Sequence, residues 1–205
     1  MKKVILSTAA VALLFACNPN ENNPGGGDQP QGRDYTDTDE LVFVDMGTSV
    51  LWATMNVGAE HSTDYGTYME WSAFTASEGD EWANCRLPSK ADYEELATVK
   101  TSDGKYNSGP CRTKWGKVNG VFGLTYTNKN TGNAIFMPAA GNYSQGYPYF
   151  VGQKICNWTI DSHEEQYGLQ ATMTMFQEGA APYAGAFQDG FVSIERCTIR
   201  LVKEK

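Results

Sequence analysis

PSKADYEELA (residues 88–97) is the one stretch of this chain where helix signals accumulate. Pro88 can stand just before the first turn. Ser89 can pair with Asp92 three residues on, a capping box with Asp in place of the usual Glu. Ala91, Glu94, Glu95 and Leu96 tolerate helix, and Tyr93, Leu96 and Ala97 fall on one face for burial. Outward from this segment the text turns to strands. Residues 41–44 and 49–53 are apolar runs broken by Asp45, Met46 and Gly47, and residues 66–71, 121–127 and 134–137 repeat the theme. LQATMTMF (residues 169–176) alternates, with Leu169, Ala171, Met173 and Met175 on one side; residues 191–194 and 198–202 follow as further strand text. One clear helix among many short antiparallel strands and long loops predicts an α+β fold.

The N-terminus carries an address. Lys2 and Lys3 precede an apolar run from Val4 to Ala16 that Ser7 and Thr8 alone relieve. A spanning helix needs roughly 20 apolar residues, so this shorter run is expected to be a signal peptide, residues 1–16. Leu14, Phe15, Ala16 and Cys17 resemble the lipobox of bacterial lipoproteins, although Phe15 stands where a small residue is usual. Cys17 is therefore the expected lipidation site. Two acyl signals give stable anchoring at about 0.8 kcal/mol per buried methylene. The expected location is the cell envelope, at the outer membrane, with the surface and the periplasmic face both open. NPNENNPGGGDQPQGRDYTDTDE (residues 18–40) is nearly free of hydrophobes and is expected to be a disordered tether continuing from Cys17. Residues 41–205 then make a single domain, long enough to bury a core.

Composition excludes some functions. The formal charge is −8, and loss of Lys2 and Lys3 takes it to −10. Such acidity excludes a nucleic-acid partner, which needs clustered Lys and Arg to release counterions. Beyond Cys17 stand Cys85, Cys111, Cys156 and Cys197, an even number in a protein expected to leave the reducing cytoplasm. Two disulfides are expected, Cys85 to Cys111 and Cys156 to Cys197 as nearest neighbours, each loop stabilising by about 3–4 kcal/mol. The alternative is four buried thiols. No pair has metal-knuckle spacing, and His61 and His163 lie far from any such pair, so neither metal nor cofactor is expected.

VDMGTSVLWATMNVGAE (residues 44–60), CRLPSKADYEELATV (85–99), VNGVFGLTYTNKNTGNAIFMPAAGNY (118–143), NWTIDS (157–162) and TIRLV (198–202) occur in a telling order. Together they resemble the Fibrobacter succinogenes major paralogous domain family, common in exported lipoproteins. The resemblance spans nearly all of residues 41–205 and implies a C-type-lectin-like fold, found also in formylglycine-generating enzymes. The chain departs from the family at Met55, where cysteine is frequent, at Cys85, where tryptophan usually precedes Arg-Leu-Pro, and at Leu201, where proline often follows the last arginine. Those departures bear on any disulfide pattern carried over from relatives.

Candidate chemistry is sparse. The resemblance places Arg86 and Arg200 in the core sheet, where a buried guanidinium needs a carboxylate or several carbonyls. A cysteine nucleophile would need a histidine base, and a copper oxidase would need a cysteine segment that this chain does not match. Calcium-dependent sugar binding would need carboxylate ligands, and the nearest text, Asn157-Trp158-Thr159, has none. An enzyme is not expected. GNYSQGYPYF (residues 141–150) sets Tyr143, Tyr147, Tyr149 and Phe150 among Gly and Pro, and Tyr183 and Phe187 stand in another Gly/Ala-rich loop. Such rings stack on sugars or anchor protein partners, or else fill the core beneath long loops. Trp52, Trp71, Trp115 and Trp158 sit in strand-like text and are expected in the core. The expected function is binding of a glycan or protein ligand through the loop aromatics; the alternative is a structural or interaction subunit of an envelope assembly.

Overall fold

Ser89 and Asp92 cap a helix as their spacing predicts. In the computed structural model, the Asp92 amide donates to Ser89 Oγ at 3.1 Å and the Ser89 amide donates back to Asp92 Oδ2 at 2.6 Å. The structure describes residues 33–205 except 77–83, 97–98, 101–105, 108, 166–167, 178–185 and 192–194. Cys17 and the expected signal peptide lie outside the described residues.

The strands come in chain order as follows. The N-terminal set is β1 (Asp34–Tyr35), β2 (Phe43–Asp45) and β3 (Val50–Asn56), followed by helix α1 (Trp71–Ala76), β4 (Cys85–Arg86) and helix α2 (Lys90–Leu96). Next are β5 (Val99–Lys100), β6 (Tyr106–Asn107), β7 (Cys111–Val118), β8 (Val121–Asn128) and β9 (Ala134–Pro138). The last third holds β10 (Asn142–Ser144), β11 (Tyr147–Tyr149), β12 (Lys154–Glu165), β13 (Gly168–Gln177) and β14 (Ala186–Phe191). β15 (Arg196–Cys197) and β16 (Arg200–Glu204) close the chain. The fold is α+β, with strands dominant.

The central sheet runs β2-β3-β16-β4, and both of its faces are covered. Val44, Trp52 and Val202 meet across it in register and enter one cluster, with Tyr93 and Leu96 of α2 and with Tyr35, Tyr126, Ile135 and Met137 of a second sheet, β1-β9-β8-β7. Ala53 and Leu201, with Phe43 packed against them, enter another cluster with Phe74 of α1, Leu87, Trp158 and Ile199. Burial on both faces explains why β3 reads as a nearly continuous apolar run rather than a clean alternation. Trp52 and Trp158 are fully buried, as expected, and Trp71 and Trp115 are half-buried against the two clusters.

Three expectations are corrected. The tether does not run to residue 40: β1 pairs in parallel with β9, Tyr35 is 4% exposed, and the Ser62 hydroxyl donates to the Thr36 carbonyl at 2.6 Å. One ring buried under β9 outweighs the polar text around it. Residues 66–71 do not form a strand; Met69 makes a single bridge to Cys197, and Trp71 opens α1, a helix the sequence reading missed. The disulfides are also absent, since Cys85, Cys111, Cys156 and Cys197 are all thiols. Cys111 faces the first cluster and donates to the Met46 carbonyl at 3.4 Å, whereas Cys85 packs against the second, so their expected pairing would cross the central sheet. Cys156 and Cys197 share the second cluster on segments joined by the Asn157–Thr198 bridge, and both are thiols.

Asp92 does more than cap. Its carboxylate takes Arg86 Nη1 at 2.6 Å, and Arg86 Nε reaches Glu204 at 2.9 Å, which ties the start of α2 to β4 and to β16. Burial works to raise the Asp92 carboxyl, but the bonds from Arg86 and Ser89 outweigh it and hold the group below its ordinary value of 3.8. A carboxylate depressed in the folded state contributes stability above its unfolded pKa and loses it as pH falls through the folded one. Asp92→Asn is therefore expected to cost about 1–2 kcal/mol at neutral pH. It should also flatten the fall in stability below about pH 4, as urea midpoints at a series of pH values would show.

Candidate functional site

Tyr147 and Tyr149 are displayed on a hairpin that the backbone fixes closely. β10 and β11 pair as Asn142 with Tyr149, Tyr143 with Pro148 and Ser144 with Tyr147, so two residues, Gln145 and Gly146, make the turn. Both have positive φ, 51° and 84°, the requirement of a type I′ hairpin turn. β10 also pairs with β15, which leaves β11 at the edge of its sheet. Tyr147 is 70% exposed and Tyr149 45%, with Phe150 and Val151 also open to solvent.

The side of the hairpin that carries Tyr147 and Tyr149 is braced from within. Cross-strand partners share a face, so Ser144 and Asn142 stand beside those two tyrosines. Both donate to the buried Glu195 carboxylate, Asn142 Nδ2 to Oε2 at 2.8 Å and the Ser144 hydroxyl to Oε1. The Lys154 ammonium lies 3.8 Å from the centre of the Phe150 ring, within cation–π range. Glu195 braces the hairpin and was not legible in the sequence, because it sits more than fifty residues from Asn142 and Ser144, the side chains it holds.

Gly141 sets the hairpin's base. Its φ is 62°, and a Cβ there would lie 2.1 Å from the Tyr149 carbonyl oxygen and 2.7 Å from the Val151 amide nitrogen. Gly141→Ala is expected to cost about 2 kcal/mol, from the left-handed backbone and the clash together, and to pull β11 away from β10. Urea unfolding and hydrogen exchange at the hairpin amides would measure both effects.

Of the expected aromatic set, Tyr143 stands apart from Tyr147 and Tyr149. Tyr143 lies on the opposite face of the hairpin from Tyr147 and Tyr149, half-buried and edge-on to Tyr68 at 4.7 Å between centroids. Tyr68 in turn donates its hydroxyl to the Ala140 carbonyl at 2.5 Å. Tyr143 is thus a strut beneath the hairpin rather than part of its exposed surface. Tyr183 lies outside the described residues. Phe187 lies in β14 opposite Thr174 of β13, and only its backbone is described. Phe150, the fourth ring of the same segment, is exposed with Tyr147 and Tyr149.

The thiols offer little chemistry. Burial pushes Cys111 and Cys156 each up to about 12 and Cys197 well above its ordinary value, so these sulfurs stay protonated at neutral pH and are poor nucleophiles. His61 is exposed, and its amide donates to Asp64. Among the described residues no three His, Cys, Asp or Glu side chains stand together as metal ligands. Compared with protein-family models, curated proteins and solved structures, the chain finds no match in any of the three.

Proposed function

We propose that this chain is a lipid-anchored binding module of the cell envelope, without catalytic activity, that meets a glycan or protein ligand through the tip of the β10–β11 hairpin. The observation that carries this reading is the exposure of Tyr147, Tyr149 and Phe150 on a hairpin whose other contacts are satisfied. Large rings are seldom left in water on a braced element unless something covers them, and aromatic rings supply most of the contact energy in sugar and protein sites alike. The lysines, apolar run and cysteine at the N-terminus support the anchor at Cys17, and the polar segment after it supports a reach beyond the membrane.

A C-type-lectin-like fold is part of the proposal. The motifs that carry the family resemblance converge in space: Arg200 of TIRLV donates to the Ala53 carbonyl of LWAT at 3.0 Å and to the Phe136 carbonyl of AIFMP at 3.0 Å. The second reading, a subunit of an envelope assembly, is favoured by one feature. β11 is an edge strand, to which a strand of another chain could be added.

A glycan array probed with the full chain, with and without calcium, tests the proposal and identifies the ligand class. Tyr147→Ala with Tyr149→Ala is expected to abolish retention on the array. Stability should change by no more than about 0.5 kcal/mol per site, because both rings are exposed. Retention that survives the double substitution would place the ligand elsewhere, and no retention at all would favour the assembly reading.

A further inference from the structure

The sheet β1-β9-β8-β7 has a second, outward face, and it carries a groove of about 550 Å³. That volume is in the range of small-molecule sites. The register assigns the two faces: Cys111, Tyr126, Ile135 and Met137 enter the first core cluster, and on β7 and β8 the residues between them stand on the other face, which the buried Phe136 of β9 shares. On that side Arg112 stands opposite Thr127 and Lys114 opposite Thr125, both cations exposed. Asp34 and Thr36 close the groove at the β1 end, and Lys117 also lines it. Two exposed cations, Arg112 and Lys114, face one carboxylate in a chain whose formal charge is −8, while Lys117 stands on the opposite register with its ammonium 4.5 Å from the Phe122 ring. The groove is thus a positive island on an acidic protein.

Its floor is open for a local reason. Gly116 and Gly123 are paired across β7 and β8. A Cβ at Gly123 would meet the Phe136 ring at 2.5 Å, so that glycine makes room for a buried ring on its own face of the sheet, whereas a Cβ at Gly116 would meet nothing within 4 Å. The space over Gly116 is therefore free for a ligand.

We propose that this outward face of β7 and β8 is a binding groove for an anionic glycan, one that bears uronate carboxylates or sulfates. Arg112 and Lys114 match the acidic groups, and the hydroxyls of Thr125 and Thr127 with the Asp34 carboxylate match sugar hydroxyls. The groove shares no residue with the β10–β11 hairpin, and the inference does not depend on the role proposed for that hairpin. β7 is an edge strand, and lysines on an edge also block sheet-to-sheet association. That role needs the charges but not the open floor, so the two can be separated.

The test uses the full chain in detergent, with polygalacturonate and dextran sulfate as probes and neutral dextran and single-stranded DNA as comparators. The charged glycans are expected to bind and neutral dextran not, with affinity falling several-fold between about 50 and about 300 mM salt. Arg112→Glu with Lys114→Glu should weaken binding by about tenfold or more, because two attractions become repulsions. Gly116→Ile keeps every charge, suits a strand and fills the floor, and it should also abolish binding. Tyr147→Ala with Tyr149→Ala should leave it unchanged, so a failure here is distinct from a failure of the hairpin. The proposal is overturned if neither charged glycan binds, if Gly116→Ile binds as the parent does, or if DNA binds as tightly as the glycans.

Discussion

Arg200→Ala is expected to destabilise the protein by about 4 kcal/mol, one of the largest losses available to a single substitution. Arg200 is completely buried, and its guanidinium is held by two carbonyl oxygens, Ala53 on one sheet and Phe136 on another, rather than by a carboxylate. Burial pushes the group down to about 10, against the opposing influence of Tyr93 and Tyr126, and it remains charged at neutral pH. Its Nε finds no acceptor among the described residues. The side chain is thus costly to bury, but its removal leaves a cavity and strips two inward carbonyls of their donor, each worth about 1–3 kcal/mol when unpaired. Arg200→Met separates the two contributions. It keeps most of the volume and discards the charge, so its loss should be about half that of the alanine variant. Urea midpoints at constant slope measure both, and a methionine variant as unstable as the alanine one would mean that the polar contacts dominate.

Trp158→Ala should cost a similar amount, about 3–5 kcal/mol, and lower the melting temperature by about 10 °C for a domain of this size. Trp158 is 1% exposed in the cluster behind the central sheet, and its indole donates to the Met69 carbonyl at 2.7 Å. Met69 bridges Cys197, and Cys197 pairs with Asn142 at the root of the hairpin. The cavity therefore opens beneath the platform that carries Tyr147 and Tyr149. Hydrogen exchange at β10 and β15 should rise more than at β8 and β9, which belong to the other cluster. Trp158→Phe keeps much of the ring volume and removes the donor, so it should lose less.

Local signals were legible in the sequence and distant ones were not. The capping pair Ser89 and Asp92 lies three residues apart, and it forms as read. β8 and β9 also follow their text. α1 escaped because WSAFTA is short, has no acidic first turn and follows Thr67 and Tyr68, residue types that favour strands. In β7 the alternation was available, since Cys111 and Trp115 turn inward while Arg112 and Lys114 turn out, but interleaved charges disguise an edge strand as a loop. Tyr35 shows how a single buried ring moves a domain boundary that composition places at residue 41. The exposed hairpin was legible as aromatic text, yet its faces were not. Only the register puts Tyr143 beneath it and Tyr147 and Tyr149 outside, and only the tertiary fold brings Glu195 to hold them.

The most direct test of the binding role is the affinity of the full chain for its best array ligand, compared with Tyr147→Ala, Tyr149→Ala at matched stability. The expected result is a loss of at least about tenfold in affinity with a melting temperature within about 2 °C of the parent, since exposed rings contribute to contact and not to the core. Unchanged affinity, or a loss that merely tracks unfolding, would contradict the assignment of the hairpin as the binding surface.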